Sequence, residues 1–455
     1  MANKNLLTYN AKVTQVEQVY YSPVAVLPPP FGTAISTTYC ILSHIVPWAD
    51  DNNPPQPSQD QKNIKSVFKS MFVAKQIYSN DISPVIERID WTSGTSYEYY
   101  KDDVDMFELD GAGLLVFKFY VRNKYDQIFK CLWNNQGGLS TQEPFFQPGS
   151  YGTNNIYVGS DGYKWKYMYT IDAGLKRKFM DSTWIPVPVG ANTPNPIQSS
   201  AGYGDIEVIN MVNTGSGYDP ANSTITVTIT GDGSSAAGTA EVSNGAITNI
   251  VVTNTGANYT YANVSVTSSS GSGASAIAPI SPVGGHGFDP VSELGCGHVL
   301  FTCEFNGSES GNIPVDIDYR QVGLLINPVA LSSYPYPADK PIYKTTTDFV
   351  VAPGFGAYTA DEVIYQGNSL ATATFSASVL SFNSASNLIY LINTVGTPIL
   401  NAPVYSVSSG TTRTLLSFQT SDFQPFSGYL AYIQNRSGIQ RSSDGIEQFR
   451  FVLGY

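Results

Sequence analysis

The sequence predicts a mainly β protein: a multi-layer β-sandwich framework with long loops and one or two short helices, carrying two small inserted β modules. Three observations predict it. Apolar residues alternate with period two over most of the chain, a Gly/Ser/Thr-rich stretch repeats itself, and only one segment carries a clear helical stripe. The 455 residues include 30 Tyr and 22 Phe but only 24 Lys+Arg and 36 Asp+Glu. Charged residues, at 13%, fall to about half the usual ~25%, yet aromatics, also 13%, argue against disorder. A chain of this length is expected to form roughly two to four domains.

Residues 1–200 are expected to open the framework. Met1 to Asn10 lack the basic start and apolar run of a signal peptide, and no segment is expected to span a membrane. Pro54, Pro55 and Pro57 keep residues 50–57 extended. Over 63–78 the residues Ile64, Val67, Phe68, Met71 and Phe72 form a helical stripe, with Ser58 or Asp60 as N-cap and Pro84 beyond the end. A shorter helix is expected around 125–134. Residues 113–121 and 163–171 read as strands. In the latter Tyr163, Trp165, Tyr167, Tyr169 and Ile171 share a packed face, while Lys164, Lys166, Met168 and Thr170 share a wetter one.

Composition shifts near residue 200. Over 201–285 Asn213-Thr-Gly-Ser-Gly-Tyr218 recurs as Asn254-Thr-Gly-Ala-Asn-Tyr259, each copy followed by a β run and a small-residue patch. Such a unit is expected to pair with its own second copy, because one copy alone buries too little. Residues 286–351 are expected to return to the framework, 352–420 to form a second inserted module, barrel or sandwich, and 421–455 to supply the C-terminal framework strands. There Phe449, Phe451, Leu453 and Tyr455 share one face.

Motifs for catalysis are missing. The chain has no G-x-S-x-G elbow, no phosphate loop and no H-E-x-x-H zinc motif. Cys296-Gly-His298 with Cys303 comes nearest to a metal set, but zinc needs three or four convergent ligands. The four Cys (Cys40, Cys131, Cys296, Cys303) are expected to be buried free thiols. Gly284-Gly-His286-Gly287 is expected to be a tight junction, and the acidic run from Asp102 to Asp110 a solvated loop. No catalytic, metal-binding or cofactor-binding residue is assigned, and no enzyme activity is expected. A formal net charge of −12 makes a nucleic-acid partner unexpected.

Four stretches together carry a family signal. They are Pro47-Trp48 with the Pro-rich segment, Arg88-Ile-Asp90-Trp91, Asp161-Gly162-Tyr163-Lys-Trp165 with Trp184-Ile-Pro186, and a C-terminal set of Gly428, Tyr432, Asn435, Arg436, Asp444 and Glu447. In content and order they resemble the gene-product-eight baseplate wedge subunit of T-even-like contractile-tailed phages. The resemblance covers roughly 1–200, 290–345 and 425–455, and the two small-residue modules look like insertions into it.

The resemblance implies a non-enzymatic structural protein of the virion tail baseplate, assembled in the host bacterial cytoplasm. It further implies a homodimer that joins other baseplate wedge subunits. Trp48, Trp91, Trp165 and Trp184 are expected in the core, Asp90 as an acceptor of backbone N–H groups at a turn, and Arg436 and Asp444 as a pair, within the chain or across a subunit boundary. The alternative is a receptor-binding or tail-fibre-type adhesin that contacts host glycans through the repeat module. A polysaccharide depolymerase is a third class; it requires paired carboxylates in an aromatic cleft, which folding rather than spacing brings together, and the scattered Asp and Glu give no positive evidence for them.

Overall fold

The computed structural model describes residues 9–21, 37–111, 114–148, 155–189, 200–332 and 340–455. Antiparallel strands dominate. The α-helices span Tyr9–Tyr21, Gln61–Ser70, Ala173–Phe179 and Pro290–Glu293. Among the described residues no helix is long and apolar enough to cross a membrane. The chain divides into two compact units: Met1–Gln18, Ser83–Leu300 and Val452–Tyr455 in one, Val19–Ile82 and Phe301–Phe451 in the other. The framework expected as one body is therefore shared between two. The reason is strand pairing, which joins early and late strands in one unit and keeps the strands of 120–170 together in the other.

In the second unit a five-stranded sheet runs in the order Ile342–Lys344, Met71–Ile77, Thr38–Ser43, Asp318–Ile326, Tyr429–Gln440. The helix beside it is shorter than its stripe suggests. Asp60 caps it by accepting from the Asn63 N–H, but it stops at Ser70, and Met71 is already extended. Met71-Phe72-Val73-Ala74 is a continuous apolar run buried on both faces, as an interior strand requires. Pairing with Thr38–Ser43 overrides the helical spacing there.

The first unit contains a four-stranded sheet in the order Tyr120–Arg122, Gln127–Asn134, Tyr163–Thr170, Ile156–Val158. The helix expected around 125–134 is instead the strand Gln127–Asn134, with all its residues buried. Asp126 at φ 59° and the Asn123 carboxamide, which accepts from the Tyr125 and Gln127 N–H groups, turn the chain into a hairpin. Of the expected 113–121 strand only Tyr120–Arg122 forms a named strand, and Gly113 lies outside the described residues. The lysine face of Tyr163–Thr170 is not wet: Lys164 is 8% exposed and Lys166 0%.

The 201–285 module explains its own repeat. Copy one supplies the strands Asn210–Ser216, Ile225–Gly231 and Ala237–Ser243; copy two supplies Ala246–Asn254, Ala262–Ser268 and Ser272–Ile277. The first strand of each copy pairs with the last strand of the other, and the two middle strands pair together. Within each motif the Asn side chain accepts from the Gly N–H, Asn213 from Gly215 and Asn254 from Gly256. Both glycines have positive φ, and a Cβ on either would lie 2.6 Å from backbone of the other copy. The Tyr218 hydroxyl accepts the Ala274 N–H and that of Tyr259 the Ala236 N–H, again across copies.

The second module is a closed six-stranded barrel in the order Thr347–Val351, Leu388–Gly396, Phe375–Asn383, Val363–Gln366, Pro403–Ser406, Thr412–Gln419. It begins before residue 352, because Thr347–Val351 closes the ring by pairing with both Leu388–Gly396 and Thr412–Gln419. Phe349, Ile364, Phe375, Val379, Ile389 and Leu391 fill its centre.

Candidate functional site

In the second unit the first and last motif stretches meet. The Trp48 indole Nε1 donates to the Arg436 carbonyl at 2.8 Å, although the two residues are 388 apart in sequence. Asp51 accepts the Trp48 N–H and an Arg320 N–H, both at 2.8 Å, and hydrogen bonding from Arg320 holds its carboxyl below the usual range. Asn435 accepts from Gln321 and donates to the Pro55 carbonyl, each at 2.8 Å. These contacts lay the Pro-rich segment along Tyr429–Gln440, the outer strand of the sheet, a position where proline and cover both limit edge pairing. Pro47 itself is exposed.

Gly428 enters that strand at φ 74°, with the Ile326 carbonyl 2.7 Å from where a Cβ would sit. Tyr432 meets Phe451 edge-on at 5.4 Å. Arg436 and Asp444 form no ion pair within the chain. Instead Arg441, 1% exposed, donates to Glu447 at 2.8 Å and to the Gly307 and Pro314 carbonyls. Burial raises the Glu447 carboxyl even so. Sequence offered no signal for Arg441, since a lone Arg near a turn looks like any solvent-facing one.

In the first unit Asp90 gathers guanidinium groups rather than backbone N–H groups. Arg88 donates to it at 2.8 Å and Arg122 at 2.7 Å; Arg122 also reaches Asp126, which Lys176 meets at 2.8 Å. Burial acts to raise the Asp90 carboxyl, but the two arginines outweigh it and the net shift is downward. Of the motif carboxylates in this unit it is Asp161 that accepts backbone N–H groups, those of Thr141 (2.7 Å), Gln142 (2.9 Å) and Tyr163 (3.2 Å). Gly162 follows at φ 82°, as the turn demands. Tyr163 then stacks on Trp165 at 5.4 Å.

Trp165 is fully buried, as expected, whereas Trp48, Trp91 and Trp184 are half-buried. A buried indole N–H usually finds an acceptor, yet that of Trp165 meets none among the described residues; two of the half-buried indoles do. Trp48 finds it on Arg436, and Trp91 on the Ser140 hydroxyl at 3.0 Å.

The densest buried chemistry lies where sequence placed solvent. Lys130 and Lys166 stand opposite each other on paired strands. Lys166 Nζ lies 2.8 Å from both Glu207 oxygens, with side-chain exposures of 0% and 3%. Lys130 Nζ sits 3.2 Å from Glu293 Oε2 and 3.3 Å from His286 Nδ1, under the Tyr100 ring at 4.1 Å. An ammonium can only donate, so Nδ1 accepts and the imidazole is neutral. Burial, reinforced by the Lys130 charge, pushes the His286 pKa down to about 3. Glu293 also accepts the Gly287 N–H at 2.7 Å, which ties the Gly284–Gly287 turn to the cluster. Lys164 donates to the Ile209 carbonyl at 2.7 Å, and burial lowers its pKa to about 8.

These groups hold backbone and each other. No group of three or more His, Cys, Asp or Glu among the described residues is placed to bind a metal ion. The four cysteines are buried free thiols, and burial pushes Cys296 up to about 12. No protein-family model matches the chain, and no curated protein matches it.

Proposed function

We propose that the chain is a structural subunit of a phage tail baseplate wedge. In this reading it works as a homodimer in the virion, joining neighbouring wedge proteins through large interfaces. The observation that carries the reading is the Trp48–Arg436 contact, because residues that resemble one family at opposite ends of the chain are built into one piece of scaffold. The other motif residues act likewise: Asp90 and Asp161 pin loops, and Gly428 and Asn435 set the outer strand. Exposed Tyr78, Tyr125, Tyr203, Tyr261 and Tyr429 supply the amphipathic side chains that protein interfaces favour.

Sedimentation equilibrium of the full chain and a cryo-EM map of the tail that contains it test the proposal. A dimer in solution and density at the baseplate support it. A monomer absent from purified particles refutes it, and a trimer at a fibre tip favours the adhesin.

A further inference from the structure

The closed barrel carries a small apolar patch on its outside, set in a cleft whose lining is otherwise polar. Phe349, Ile389 and Leu415 point into the core, so the alternate residues of those strands point out. Asp348 lies opposite Tyr390 on one side and Gln419 on the other, and Val350 lies opposite Leu388 and Ser417. Two neighbouring strands thereby present Val350, Leu388 and Tyr390 as a half-buried centre, and a third sets Ser417 and Gln419 at its margin. A cleft of about 500 Å³ lies over this patch, and Asn312, Lys344 and Asp422 also line it.

The charges select the ligand. Lys344 Nζ sits 2.6 Å from Asp348 Oδ2 and 3.3 Å from Gln419 Oε1, while Thr346 donates to the other Asp348 oxygen at 2.7 Å. The one cation among the lining residues is thus neutralised, and Asp422 adds a further carboxylate. A phosphate or sulfate would meet net negative charge. A pyranose ring fits better, because it has an apolar C–H face and a rim of hydroxyls that both donate and accept. Amide and carboxylate side chains answer that rim, and the volume falls in the range of small-molecule sites.

We infer that this cleft binds a neutral saccharide of about two or three rings, a size that such a volume admits. The ring face rests on Tyr390, Leu388 and Val350, and the hydroxyls reach Asn312, Gln419 and Asp422. The site lies on the barrel and the neighbouring residues Asn312, Lys344 and Asp422 of the same unit, not on the 201–285 repeat, and it holds whatever larger assembly the chain joins.

The test screens the full chain on an array of neutral oligosaccharides and titrates those retained by calorimetry. At least one neutral glycan should bind. Asn312→Ala and Gln419→Ala alter exposed side chains, so each should leave the melting curve unchanged and weaken binding about tenfold, the equivalent of one lost hydrogen bond. Tyr390→Ala should abolish binding; if it also lowers the melting temperature, the two amide variants decide. Retention of no neutral glycan, or of sulfated and phosphorylated glycans only, overturns the inference. So does binding that Asn312→Ala and Gln419→Ala leave intact. A cleft that serves a protein segment instead would give the first of these results.

Discussion

The two small β bodies, one in each unit, answer the problem of being small in different ways. The barrel closes its ring, so none of its strands is left as an edge, and its inward residues are almost fully buried. The 201–285 module leaves its sheets open and interlocks two copies instead. Its Ile206, Ile209, Ile247 and Ile250 are buried, but Val227, Val264 and Val266 of its middle strands stay half-buried. Attachment differs too. The module is fastened to the first unit's sheet by Lys166–Glu207, by Lys164 on the Ile209 carbonyl and by Asn210 on the Leu132 carbonyl. The barrel is held at its rim by His44, whose Nε2 lies 2.6 Å from Asp361 and whose Nδ1 lies 2.9 Å from Asp318. A closed fold stabilises itself, while an open repeat leans on its anchor.

The largest effect should come from breaking that anchor. Lys166→Met leaves Glu207 buried without its ammonium and should cost the first unit about 3–5 kcal/mol in chemical denaturation. Lys166→Met with Glu207→Leu removes both charges and should recover most of the loss. If the double variant is as unstable as the single one, the pair does more than neutralise itself.

The buried Lys130–His286–Glu293 cluster beside that anchor should also give the first unit an acid slope. In the fold His286 stays neutral down to about pH 3, whereas in the unfolded chain it takes a proton near its ordinary value of ~6.5. Between those values the unfolded state binds more protons. The histidine's share of stability is therefore complete above ~6.5 and drains as pH falls toward 3. His286→Gln should flatten the slope in that window, read as the difference between two urea-midpoint curves; parallel curves would count against it.

Interlocking inside the module comes next. Gly256→Ala forces a side chain into a left-handed backbone conformation and toward the other copy, at a cost of about 1–3 kcal/mol. Gly215→Ala, its counterpart, should cost about the same if the two copies bear equal load. The smallest effect belongs to the barrel's rim. Asp361 is 41% exposed, so Asp361→Asn should lower the second unit's stability by less than ~1 kcal/mol. A loss as large as that of Lys166→Met would erase the contrast between the two bodies.

Strand content and the repeat were legible because period-two alternation and the Asn-Thr-Gly spacing are local patterns. The helical stripe was half legible: Ile64, Val67 and Phe68 lie on the helix, while Met71 and Phe72 belong to the next strand. No local signal separates them, since a buried strand between two others is apolar throughout. The motif residues could be picked out in sequence, but not their partners. Asp90 looked like a backbone acceptor until Arg122 arrived from another strand, and Arg441 had no mark at all.

By itself the sequence determined the class of fold, the twice-used unit with its glycines and tyrosines, and the scarcity of catalytic patterns. These follow from alternation, composition and φ preferences, which act over a few residues. Only the tertiary structure decided that Lys130 and Lys166 lie in the interior, that Trp48 reaches Arg436, and that the framework strands fall into two units. Each of these depends on a partner far along the chain, and whether a charge can be buried is settled by what stands opposite it.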